Sequence, residues 1–230
     1  MSMCYSVLIE QDLKTLEEDF RSSINVSHFA EYEALQAKDP KKVKDYKSHP
    51  RLYPNYWGLI ISLDDAGNRQ ISPMRYRLRP NWSDKEIPSK YNVFNARLDA
   101  LETRRSWSGL LGQNHGIVLV KQFFEWVQDQ RTGKKKVVAF SGTRNKYQFV
   151  PVLYDSWQAS KEDPILYSFA IITTDPNPEV LKAGHDRTPI GLSREHARQW
   201  IDTSQKNKSD FYKILQQPSL EYYAVSDANP

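Results

Sequence analysis

The 230-residue sequence predicts an α+β fold: a single domain over residues 1–230 with a curved or barrel-like, mostly antiparallel β-sheet core flanked by helices. Two observations carry this expectation. Strand-like runs separated by turn residues fill the centre of the chain, whereas helical spacing is confined to segments before and after them. Hydrophobic residues make up 39% of the chain, enough to bury one sizeable core. In chain order, "CYSVLIE" opens as a strand. The polar stretch over residues 12–38, with Leu13, Leu16 and Phe20 at spacings of three and four, predicts a helix. "KDPKKVKDYKSHPR", residues 38–51, is a charged connector, either a solvated loop or one that faces phosphates. "YWGLIIS", "GNRQISPMRYRL", "YNVFNAR", "GIVLVKQFFEW", "KKKVVAFSGT", "KYQFVPVLY" and "ILYSFAIITT" follow as strands. "SREHARQWIDTSQ" predicts a late helix, capped by Ser193 and presenting Ala197, Trp200, Ile201 and Ser204 on one face. "EYYAVS" closes the pattern as a strand.

Composition excludes several classes of function. No run of about 18 apolar residues exists to span a bilayer, and the first residues lack a secretory pattern, so a soluble, cytoplasmic protein is expected. In that setting the Asn-x-Ser triplets at Asn25, Asn81 and Asn207 carry no weight as glycosylation sites. A single cysteine, Cys4, rules out an intramolecular disulfide. Zinc-site patterns, HExxH and Gly-rich phosphate loops are absent, and neither a metal nor another cofactor is expected. Net charge is +4, from 32 basic and 28 acidic side chains, which is compatible with a polyanion partner without requiring one.

The residues able to carry chemistry each admit two readings. Cys4 is either a small buried hydrophobe or a nucleophile. Glu125 stands in the aromatic run "KQFFEWVQ", where desolvation would favour its protonated form and suit it to acid-base work; the alternative is a strand-end carboxylate turned to water. Asn95, in "VFNAR", either caps a turn or aims an amide at a ligand. His185, in "AGHDRTPIGL", is either oriented by the Asp-Arg pair that follows it or part of a salt-bridged turn. His115 and His196 sit in ordinary strand and helix patterns.

Together these segments form an ordered set. "MCYS", "RPNWSDKEIPSKYNVFNARLDALETRRSW", "VLVKQFFEWVQ", "FAIITT" and "GHDRTPIGLS" occur in the order and approximate spacing of the SOS-response-associated peptidase (SRAP) family, which the chain resembles over nearly its whole length. The most specific parts are Asn-Ala-Arg at 95–97, the aromatic-Glu-Trp triplet ending at Trp126, and the His-Asp-Arg-x-Pro run at 185–189.

The resemblance implies a DNA-damage protein that binds single-stranded DNA, or a single-strand/duplex junction, and joins abasic sites covalently through a cysteine at its mature N-terminus. It implies Cys4 as nucleophile, Asn95 as a hydrogen-bonding positioner, Glu125 as the proton carrier and His185 as an aid to opening the abasic sugar. Arg97 and Arg105 match phosphate-contacting positions. Trp82 matches an aromatic that wedges against bases, with a half-buried loop anchor as the other reading. Thr173 matches a threonine near the site, and Thr174 fits equally well. The chemistry is sound: an α-amine with a pKa near ~7.7 to 8.0 is substantially neutral at pH 7 to 8 and forms a Schiff base with the open-chain aldehyde. The neighbouring thiol then closes a thiazolidine ring at high effective concentration. This requires Cys4 to own a free amine, either by initiation at Met3 and methionine removal or by self-cleavage of the Met3-Cys4 bond.

The chain departs from the family pattern in having Tyr5 and Ser6 where Gly-Arg is usual, Asp99 in place of glutamate, and Thr188 before Pro189. Two further functional readings therefore stand beside the leading one: a noncovalent single-stranded DNA-binding module that has lost the cysteine chemistry, and a thiol peptidase acting only on its own N-terminus. Oligomeric state is open, with a monomer expected, and association with the nucleoid during DNA damage goes with the leading reading.

Overall fold

The computed structural model describes residues 6–129, 132–204, 206–219 and 221–228. Its core is a closed β-barrel, as the sequence predicts. The chain enters as β1 (Ser6–Ile9), then breaks the helix expected over residues 12–38 into α1 (Leu13–Phe20) and α2 (Val26–Lys38), separated by the short β2 (Ser23–Ile24). The break has local causes. Arg21 adopts a left-handed conformation (φ 51°) that ends α1, and the Asn25 side chain caps α2 by accepting from the His28 amide at 3.0 Å. The charged connector is mostly loop, with one 3-10 turn at Tyr46–Ser48.

Five strands close the ring: β4 (Trp57–Leu63), β5 (Arg69–Tyr76), β7 (His115–Gln128), β9 (Gln148–Trp157) and β10 (Leu166–Thr174). β10 pairs with β5 in parallel and with β9 antiparallel; β9 pairs with β7, β7 with β4 and β4 with β5, all antiparallel. Because side chains alternate across a strand, this ring has two faces. Leu59, Ile61, Ile117, Leu119, Ala170 and Ile172 pack outward against Leu16 and Phe20 of α1 and against the later helices, whereas Ile60, Met74, Tyr76, Val118, Val120, Phe169 and Ile171 fill the inside. Strands β3 (Arg51–Leu52), β6 (Asn95–Arg97), β8 (Lys135–Gly142), β11 (Thr188–Pro189) and β12 (Tyr223–Ala228) extend the sheet. Of "YNVFNAR", only the last three residues pair as a strand.

Helices α3 (Arg105–Ser108), α4 (Pro178–Lys182), α5 (Arg194–Ile201) and α6 (Lys208–Leu215) complete the layer. α5 is the late helix expected from sequence. Ser193 caps it by accepting from the His196 amide at 3.1 Å, and Ala197, Trp200 and Ile201 are buried, while Ser204 lies beyond its end and is exposed. No helix among the described residues is long and apolar enough to cross a membrane.

One irregularity positions the site. Along β1 and β7, Leu8 pairs with Gln122 but Ile9 pairs with Val120, so Lys121 is an extra residue in β7. Before this bulge the inward residues are Val118 and Val120; after it they are Phe123 and Val127. The phase of the strand has reversed, and Glu125 shares the inward face, fully buried.

Candidate functional site

Glu125 does not stand alone inside the barrel. The Nε2 atom of His185 lies 3.0 Å from its Oε2, and both side chains are fully buried. At this distance the contact is an ion pair whenever the ring is protonated. His185 reaches this place through the turn that ends α4: Gly184 takes φ +93°, and the His185 amide donates to the Val180 carbonyl at 3.1 Å. Its other ring nitrogen, Nδ1, is 3.0 Å from the Arg187 carbonyl. The Arg187 amide also donates to Nδ1 at 3.2 Å, so the same nitrogen meets both a donor and an acceptor of the Arg187 backbone. Burial pulls the His185 imidazole down, but the contact with Glu125 and its charge, helped by the Arg187 carbonyl, outweigh burial and hold the ring above the ordinary histidine value. It is the backbone of Arg187, through its carbonyl and its amide, that orients the ring; the Arg187 guanidinium pairs with Asp175 at 3.3 Å.

Asn95 borders the same interior. It is 4% exposed, its amide nitrogen is held by the Asn92 side chain at 2.9 Å, and its Oδ1 accepts from the Tyr76 hydroxyl at 3.0 Å. The sheet explains this meeting of residues 19 apart. β5 and β6 run in parallel along β10, with Tyr76 opposite Phe169 and Asn95 opposite Ile171, so both side chains fall on the inward face. Thr173, rather than Thr174, is the buried threonine, paired with Arg97 on one side and Pro189 on the other.

The expected phosphate and base contacts lie at the rim. Arg97 is half exposed and its guanidinium is held by Asp99, with Nε donating to Oδ1 at 2.9 Å and Nη2 bonded to Oδ2. Trp82 is 40% exposed and carries the Arg105 guanidinium over its ring at 4.0 Å. Its loop is pinned on both sides: the Asn81 amide donates to Asp155 Oδ2 at 2.8 Å, and the Trp157 indole donates to the Ser83 carbonyl at 2.9 Å. Trp82 is thus an exposed indole on a fixed loop, with Arg105 over its ring.

Cys4, Tyr5 and the residues before them lie outside the described residues. Ser6 is described and pairs with Phe124, the neighbour of Glu125; its hydroxyl accepts from Arg51 Nε at 2.9 Å, and the Arg51 guanidinium lies 3.8 Å above the Phe124 ring. The sequence reading missed Tyr76 and Arg51. The strict alternation of "MRYRL" was the available signal for an inward Tyr76, whereas nothing in the connector distinguished Arg51. Among the described residues no group of three or more His, Cys, Asp or Glu side chains is placed to hold a metal ion.

The fold is shared with a protein of Bacteroides thetaiotaomicron at a TM-score of 0.72, with 16% identity over 98% of this chain and 92% of that one. A Bordetella bronchiseptica protein reaches 0.70 at 15% identity, over 99% of this chain and all of its own. In sequence the chain is 28% identical over 172 residues to the abasic site processing protein YoqW of Bacillus subtilis, covering 73% of this chain and 75% of YoqW. Its identity to the abasic site processing protein HMCES of Pongo abelii is 27% over 191 residues, 70% of this chain and 54% of that protein. Residues 3–228 match the family described as SOS response associated peptidase (SRAP). The chain belongs to the SRAP family.

Proposed function

We propose that this protein processes abasic sites in single-stranded DNA by joining them covalently to Cys4. The observation that carries the reading is the buried Glu125–His185 pair inside the barrel, one residue along β7 from the partner of Ser6. Covalent connectivity alone keeps the Cys4 Cα within about 7.6 Å of that of Ser6, since consecutive Cα atoms are about 3.8 Å apart.

The steps balance. The α-amine of Cys4 adds to C1 of the open-chain aldehyde to give a carbinolamine, and water leaves from it to form a Schiff base. The thiol sulfur then adds to the same carbon while its proton passes to nitrogen, closing a thiazolidine. Loss of water needs a proton delivered to the hydroxyl and later withdrawn, and the buried His185–Glu125 pair, whose ring is held above the ordinary histidine value, can hold that proton apart from bulk solvent. Asn95 offers its amide to the developing oxygen. Arg97 and Arg105 attract phosphates and Trp82 stacks on an unpaired base; Thr173 lines the inner wall next to Arg97. A free amine on Cys4 is a precondition, met either by initiation at Met3 and removal of that methionine or by self-cleavage of the Met3-Cys4 bond, in which water adds to the Met3 carbonyl, the Cys4 nitrogen leaves as the amine and the preceding peptide departs as a carboxylate.

Incubation of a chain verified by mass to begin at Cys4 with an oligonucleotide carrying one abasic site tests this. A heat-stable shift on a denaturing gel, lost in Cys4→Ala and absent with intact DNA, is expected. No shift would sink the proposal and favour a noncovalent DNA-binding role.

A further inference from the structure

We propose that Tyr76 is a positioning residue of this site, which sets the orientation of the Asn95 carboxamide and so decides that its NH2 end faces the substrate oxygen. The inference rests on the abasic-site reading above and deepens it. A carboxamide has a donor end and an acceptor end of nearly identical shape, and a side chain rotation of 180° exchanges them. Asn95 is useful to an oxygen that gains negative charge only in one of these two states.

The structure fixes that state from two rigid elements. Tyr76 is fully buried at the end of β5. Its amide donates to the Tyr56 carbonyl at 2.8 Å, and its carbonyl accepts from the Asn55 amide at 2.6 Å. Its ring is stacked on Phe169, with centroids 5.3 Å apart, and edge-on to Phe94 at 5.7 Å. The ring therefore cannot swing, and its hydroxyl meets Asn95 Oδ1 at 3.0 Å. The Asn95 backbone is equally constrained by its pairing with Ile171 and by Asn92. The Tyr76 hydroxyl donates to Oδ1, and this bond turns the nitrogen of the amide to the other side. The flipped amide would take Oδ1 away from the hydroxyl hydrogen that it now accepts, and is disfavoured by the loss of that bond.

Tyr76→Phe isolates this effect, because it keeps the ring and both ring contacts while removing only the hydroxyl. The experiment is single-turnover crosslinking of chains beginning at Cys4 to an abasic oligonucleotide, comparing the parent, Tyr76→Phe, Asn95→Ala and the double variant. Expected are a first-order rate at saturating DNA lowered about five- to tenfold in Tyr76→Phe, an unchanged half-saturating DNA concentration, and a double variant no slower than Asn95→Ala alone. A Tyr76→Phe rate equal to that of a crosslinking parent, or losses that multiply in the double variant, would overturn the role given to Tyr76 and leave the abasic-site reading standing. A parent that never crosslinks refutes the reading itself. In that case the side-chain amide resonances of Asn95 decide on Tyr76 without DNA: the proposal expects faster exchange with water and a shifted position in Tyr76→Phe, and unchanged resonances overturn it.

Discussion

Replacing Glu125 by Gln removes one negative charge from the barrel interior while keeping shape and one acceptor oxygen. The His185 ring is held above its ordinary value by Glu125 against an opposing burial effect, and both side chains are fully buried. Without the carboxylate, burial wins, and the ring falls below its usual pKa of about 6.5 and is neutral at pH 7. The neutral ring can still donate to the amide oxygen, so the folding cost is that of an imperfect buried hydrogen bond, about 1–3 kcal/mol. A stranded buried charge would cost about 3–5 kcal/mol, and His185 escapes that by losing its proton. Chemistry suffers more. The pair loses its exchangeable proton, and loss of general acid-base help slows crosslinking by about 100-fold or more, at least ~2.7 kcal/mol of barrier. Single-turnover crosslinking measures the rate, and the His185 ring resonances followed across pH measure the titration. Noncovalent binding to single-stranded DNA is expected to be unchanged. A parent-like rate, or a ring that still titrates above the ordinary range in the variant, would refute the assignment of the proton to this pair.

Other perturbations have definite signs. Asp99→Asn releases the Arg97 fork that Asp99 now holds; tighter single-stranded DNA binding is expected, with a log-log salt slope steeper by about 0.7 for one added phosphate contact, read by fluorescence anisotropy. Weaker binding would show that Arg97 does not reach phosphate. His115, stacked on Trp200 at 3.8 Å, is pushed down to about 3 by burial. The unfolded chain takes up a proton at this residue below about pH 6.5 and the folded chain does not, so this stability is present above pH 6.5 and is lost as pH falls, at about 1.4 kcal/mol per pH unit. His185 acts in the opposite window: its raised folded value stabilises the fold below pH 6.5 and the benefit is lost as pH rises through that value. Denaturant midpoints at pH 6.5 and 5 in the parent and in His115→Phe, which keeps the ring stack, separate the two; an equal acid slope in both chains would contradict the assignment to His115.

The sheet-rich centre and the late helix were legible because their patterns are local: period-two runs between turn residues, and Ser193 before an apolar face. The break between α1 and α2 was half legible, since Asn25 is a good cap, but the left-handed Arg21 carries no signal in its side chain. Glu125 shows the limit most clearly. Strict alternation through "GIVLVKQFFEW" turns it to the face of Ile117 and Leu119, away from Val118 and Val120. The bulge at Lys121, created by the pairing of β7 with β1, reverses the phase and brings it inside. Tyr76 and Asn95 meet only because β5 and β6 lie end to end along β10, a tertiary relation that no local pattern records.

The intact mass of the protein–DNA product tests the proposed chemistry most directly. A chain whose first residue is Cys4, mixed with an abasic oligonucleotide, is expected to give one product with the summed mass of protein and DNA less one water, stable to heat and lost in Cys4→Ala. No such product from a chain verified to begin at Cys4, or the same product from Cys4→Ala, would contradict it.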